Sequence, residues 1–147
     1  LRLSQSEIKP KIIYFSRKEI LKEGIFVENE QLVACIGNTK EYIMDVKDIL
    51  LLGQHNLENV LAAVSIAVLA GIDKSIIKQE VMNFRGVEHR LELVRTYNDV
   101  NYINDSKATN PDSSIKALEA MNTPVILIAG GMDKQSDYSS FIDSCIP

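Results

Sequence analysis

Tryptophan is absent and cysteine nearly so, with Cys35 and Cys145 the only two in 147 residues. They stand in unrelated contexts without CxxC spacing or a histidine pattern, which excludes a zinc module and a disulfide framework and points to a reducing, cytoplasmic setting. No apolar run approaches the roughly 18–20 residues that span a bilayer, and Leu1–Ile8 is not a basic segment leading into an apolar core, so neither a membrane partner nor export is expected. An excess of positive charge is also missing. Sixteen Lys and Arg against 20 Asp and Glu give a net charge of -4, which argues against a nucleic-acid partner, because that affinity comes from clustered cations neutralising phosphates. Finally, no stretch matches GxxxxGK[ST]. Without that backbone cradle for β- and γ-phosphates, the chain alone is not expected to hydrolyse ATP.

What remains is ordinary globular material, 46% hydrophobic and 24% charged, enough for one domain or parts of two. Short apolar, β-branched runs at Lys11–Ser16, Gly24–Asn29, Gln31–Cys35 and Glu41–Met44 predict strands, with Arg17–Lys22 a helical turn or loop. Leu57–Ala70 is too densely apolar for a single face and predicts a helix buried on most sides, ending at Gly71. Asp73 is placed to cap a second helix running to about Asn83. Leu91–Tyr97 and Val100–Asn104 flank an Asn98-Asp99 turn and predict a hairpin. Pro111 at a first helical position, capped by Asn110 or Thr109, opens a helix through Ala120. Val125–Ala129 is fully apolar and closed by Gly130-Gly131, which predicts a buried strand in a parallel sheet. The change of period places a domain boundary near Gly86–Arg90.

Three polar clusters could carry chemistry. In Gly53–Asn59 (GQHNLEN), Asn56 and Asn59 fall on one side of a helix's first turn, where backbone N–H groups and the positive dipole end also point. Such an amide pair could read an adenine edge; alternatively, Asn56 caps the helix and Asn59 is solvated. In Val100–Asn110 (VNYINDSKATN), Asp105, Ser106, Lys107, Thr109 and Asn110 follow a strand and precede a helix, the position where α/β sheets bind ligands. Asp105 could accept from ribose hydroxyls, Lys107 could neutralise phosphate or carboxylate, and Thr109 could donate, although a capping cluster with a solvated lysine reads equally well. In Ile128–Lys134 (IAGGMDK), two glycines permit close backbone approach and Lys134 sits beyond a strand end. At the boundary, Arg90 could stack on or bond a nucleotide, although a boundary arginine more often makes a surface ion pair.

GQHNLEN, EHRLELV, YINDSKATNPDSS and ILIAGGMDK, in this order and spacing, resemble the Mur ligase family across nearly the whole chain. HNxxN marks the superfamily, and NDSKATN resembles the branch that adds D-glutamate. The resemblance implies an α/β chain: residues 1 to about 88 as the later part of a central ATPase domain, and 89–147 as the first part of a Rossmann-like domain receiving the amino acid. The start on Leu1 and the stop on Pro147, soon after a helix start, then read as the bounds of an excised piece of a bacterial, cytoplasmic, monomeric enzyme. The implied activity joins D-glutamate to UDP-N-acetylmuramoyl-L-alanine with ATP and Mg2+, through an acyl phosphate. In that frame Asn56, Asn59, Arg90, Asp105 and Lys107 face the nucleotide, while Lys107, Thr109 and Lys134 face D-glutamate. No residue here is assigned a catalytic or metal-ligating role, and the Mg2+ ligands are expected outside the chain. The alternatives are a non-catalytic nucleotide-binding α/β module, or another Mur or folylpolyglutamate-type ligase.

Overall fold

The computed structural model describes residues 12–146. The expected features of Leu1–Ile8 and the Lys11 end of the first predicted strand lie outside them. Four strands, β1 (Phe15–Ser16), β2 (Gly24–Glu28), β3 (Gln31–Ile36) and β4 (Thr39–Asp45), form one sheet in the order β1-β2-β3-β4. β1 runs parallel to β2 and the other pairs are antiparallel. The β2–β3 turn is made by Asn29 and Glu30, both left-handed at φ 51° and 59°, which matches the right-handed twist of the strands it joins. Only Phe15 and Ser16 of the predicted first strand pair with a neighbour, and Arg17–Lys22 is a loop. Gly24 is required where β1 and β2 meet: a Cβ there would lie 2.3 Å from the Tyr14 carbonyl oxygen, which accepts the Ile25 N–H.

Helix α1 (Gln54–Leu69) lies across β1, β2 and β3, and α2 (Lys74–Asn83) lies against β4. One face of the strands, with the adjacent pair Ile43 and Met44 at the irregularity in the β3–β4 pairing, and one stripe of each helix meet in a core of Ile25, Leu32, Ala34, Ile43, Met44, Val60, Leu61, Val64 and Ile77. Each large apolar side chain buried this way contributes about 1.5–3 kcal/mol. The expectation that α1 is buried on most sides does not hold. Its buried residues are Asn56, Val60, Leu61, Val64 and Ser65, and Ile66 is 70% exposed, because only the four-stranded sheet and α2 are available to cover it among the described residues. Asp73 caps α2 as predicted, its carboxylate accepting the Ser75 N–H at 2.8 Å.

Beyond residue 91 the predicted hairpin forms from β5 (Glu92–Tyr97) and β6 (Val100–Asn104), turning on left-handed Asn98 and Asp99. α3 (Pro111–Glu119) follows with Pro111 in its first turn and Asn110 as its cap, accepting the Ser113 N–H at 2.8 Å. α4 (Ser139–Ser144) packs on α3. The predicted strand at Val125–Ala129 is a correction: no strand is formed there. A strand requires a hydrogen-bonding neighbour, and none of the described strands lies beside it. The parallel sheet of a Rossmann-like unit is accordingly not formed among the described residues, and the architecture is mixed α/β with a small four-stranded sheet and a separate hairpin.

Candidate functional site

Two helices and two connections converge on a cleft of about 170 Å³. His55 comes from the first turn of α1, Arg90 from the segment joining α2 to β5, Asp105 from the end of β6, and Asp112, Ser113 and Lys116 from one face of α3. Gly53 sets the approach of α1 to α3. At φ 90° it starts α1 without a side-chain cap, and a Cβ there would lie 2.9 Å from the Ala120 Cβ at the end of α3 and 2.8 Å from the His55 ring. Mixed charge lines the cleft: Arg90 and Lys116 against Asp105 and Asp112. Lys116 is also held by Glu119 at 2.6 Å.

The segment around Arg90 is fastened to the end of β6. The Asp105 carboxylate accepts the Leu91 N–H at 3.0 Å, the His89 carbonyl accepts the Lys107 N–H at 3.0 Å, and the Glu92 carboxylate accepts the His89 N–H at 2.8 Å. His89 and Leu91 are both left-handed, at φ 67° and 43°, so both neighbours of Arg90 hold a conformation that L-residues rarely adopt. Asp105 therefore serves the fold with one oxygen while lining the cleft.

Of the residues singled out from the sequence, Arg90 and Asp105 line this cleft. Asn56 and Asn59 lie beside His55 in the first turn of α1. Asn56 is 7% exposed; its amide donates to the Leu52 carbonyl at 2.7 Å and accepts from the Asn59 amide at 3.3 Å. It is not the helix cap, which is Gly53. Lys107, Thr109 and Lys134 are exposed and lie outside the cleft lining. His55, Asp112, Ser113 and Lys116 were not expected there. The signal existed for α3, where Asp112 and Lys116 stand four apart and so share a face.

The carboxylates held below their ordinary proton affinity lie elsewhere and serve turns and helix starts. The Ser75 hydroxyl bond lowers Asp73, the Ser139 hydroxyl bond lowers Asp137, and the Gln31 amide bond lowers Asp45. Among the described residues no group of three or more His, Cys, Asp and Glu converges as metal ligands would.

Residues 89–146 match the family model described as Mur ligase, glutamate ligase domain. Curated relatives are 42–50% identical over 88–98% of the chain, so its similarity is to the Mur ligase family. Those relatives carry one name, UDP-N-acetylmuramoylalanine--D-glutamate ligase. The protein of that name from Alkaliphilus oremlandii (strain OhILAs) is 47% identical over 144 residues, 98% of this chain and 32% of the relative. That from Alkaliphilus metalliredigens (strain QYMF) is 50% identical over 131 residues, 88% of this chain and 29% of the relative. That from Clostridioides difficile (strain 630) is 46% identical over 134 residues, 91% and 30% respectively. The chain thus spans about a third of the length of the relatives it matches. No helix among the described residues is long and apolar enough to cross a membrane.

Proposed function

We propose that this chain supplies the nucleotide-facing cleft and part of the amino-acid side of an ATP-dependent ligase that joins D-glutamate to UDP-N-acetylmuramoyl-L-alanine in peptidoglycan synthesis. The observation that carries the reading is the convergence of Arg90, Asp105 and His55 on one cleft, in a chain whose relatives are named for this reaction. Arg90, on a backbone segment fastened on both sides, presents a positive fork to a phosphate or to the face of a base. The free oxygen of Asp105 accepts from ribose hydroxyls, and Asn59, exposed at the start of α1, is the member of the amide pair left to meet the base. Asn56 supports it from below, since its own amide is held by Leu52.

In this reading Lys107, Thr109 and Lys134 come to D-glutamate from outside the cleft, and the chain's contribution is to bring anions together against its cations. The γ-phosphate of ATP passes to the muramoyl-alanine carboxylate with release of ADP, and the D-glutamate amine then attacks the acyl carbon, expelling inorganic phosphate and losing a proton as the amide forms; Lys107 and Lys134 offset the charge that gathers there. Mg2+ is an expected companion of the nucleotide. This reading places its protein ligands outside the chain; Asp105 and Asp112 are the two carboxylates of the cleft, and one of them, Asp105, is engaged by the Leu91 N–H. The match beginning at residue 89 supports a domain boundary within Gly86–Arg90, with 1–88 as the later part of a central ATP-binding domain and 89–147 as the first part of the amino-acid domain. The enzyme is a cytoplasmic monomer in this reading.

The test is phosphate release by the whole protein that carries this chain, with ATP, D-glutamate and the muramoyl precursor each omitted in turn. Turnover must require all three. Release that ignores D-glutamate overturns the proposal. Within it, Asp105→Asn should raise the KM for ATP more than that for D-glutamate, and the reverse order would exchange the two assignments.

A further inference from the structure

We infer that Asn104 is a positioning residue for Arg90, acting through the ring of His89. The inference rests on the reading that a nucleotide occupies the cleft Arg90 lines. Asn104, the last residue of β6, makes two side-chain contacts: its Oδ1 accepts the Ser106 N–H at 3.0 Å, and its Nδ2 faces His89 Nδ1 at 3.0 Å. A backbone N–H can only donate, so the Ser106 bond fixes which end of the amide is oxygen and leaves an N–H pointing at the imidazole. His89 Nδ1 must then carry its lone pair, which puts the ring proton on Nε2, 3.5 Å from a Glu88 carboxylate oxygen.

Two carboxylates compete for the same ring. Glu92 lies 3.6 Å from Nδ1 and Glu88 lies beyond Nε2. Asn104 alone among these neighbours donates to Nδ1, so it selects the ring orientation and the tautomer together. That selection matters because His89 is left-handed at φ 67° and Leu91 at φ 43°, one on each side of Arg90. Non-glycine residues persist there only when their surroundings over-determine them. Asp105, Glu92 and the Lys107 N–H pin the backbone of this segment, and Asn104 pins its side chain. Without Asn104 the ring is free to turn toward Glu92, the backbone at His89 relaxes, and the Arg90 guanidinium withdraws from the cleft.

The experiment compares the whole wild-type protein with Asn104→Ala and Asn104→Asp, reading kcat and KM for ATP alongside the nitrogen NMR shifts of the His89 ring. The wild type should show an unprotonated Nδ1 in the neutral ring. Asn104→Ala should lose that preference and raise the KM for ATP roughly two- to tenfold with kcat little changed, the size of one net hydrogen bond. Asn104→Asp keeps an acceptor for Ser106 but turns the donor facing His89 into an acceptor, so it should fold, move the proton to Nδ1 and raise KM likewise. Folded variants with the wild-type KM, or a wild-type ring protonated on Nδ1, overturn the inference. A wild type that lacks ATP-dependent turnover instead sinks the ligase reading, and the ring shifts still decide the Asn104 contact.

Discussion

The segment from β1 to α2 and the segment from β5 to α4 both carry apolar runs but differ in what they do with them. Of the twelve buried hydrophobic residues among those described, eleven lie between Ile25 and Ile77, and Ala120 is the one beyond. The first segment closes a core by laying two helices on a four-stranded sheet. The second has a two-stranded hairpin with little to pack on, and an apolar run whose Ile126 and Ile128 are each 95% exposed. The difference shows that hydrophobic content alone does not make a core, which needs two layers to face each other. The candidate cleft sits where the poorly covered segment leans on the start of α1.

This contrast can be broken most directly by truncating one apolar residue from each segment and measuring urea unfolding of the chain. Leu61, fully buried, should cost about 2–5 kcal/mol as Leu61→Ala. Ile126→Ala should change stability by less than about 0.5 kcal/mol; a comparable loss at both positions would show that Val125–Ala129 is packed in solution. Next in size, Lys134→Ala in the whole protein should raise the KM for D-glutamate by about 1.5–3 kcal/mol of lost charge-assisted contact. An unchanged KM removes Lys134 from the amino-acid site.

Smaller effects test whether the weakly packed segment is nonetheless locally well specified. Asn110→Ala should cost about 1 kcal/mol through its lost cap on α3, read from helical circular dichroism during unfolding. The smallest effect is on acid stability. Asp73 and Asp137 are held below their ordinary value of 3.8, chiefly by the hydroxyls of Ser75 and Ser139. Their contribution is complete above that value and is lost as pH falls through the lower folded-state value. Asp73→Asn should flatten that part of the acid titration for α2 while leaving the α4 signal unaltered.

Features set by neighbours along the chain were legible in the sequence. Asp73 and Asn110 cap where predicted, Asn98 and Asp99 make the predicted turn, and the strand runs from Gly24 to Met44 pair nearly as drawn. What failed depended on distant partners. VILIA has strand chemistry, but a strand exists only beside another, and α1 is as buried as the layers available to cover it. The site divides the same way. Arg90 and Asp105 announced themselves through polar density next to strand and boundary, whereas His55 and Lys116 enter the cleft only because α1 and α3 meet at Gly53.

The exposed run Val125–Ala129 has a practical consequence for handling the chain. Five consecutive apolar residues, three of them β-branched, with no charge and no proline are the composition of a segment that adds to its own kind edge to edge. Concentrated alone, the chain should associate through this run, and light scattering should rise steeply with concentration. A lysine at position 126 or 128 would act as a gatekeeper, keeping the solution clear without touching the core beneath α1.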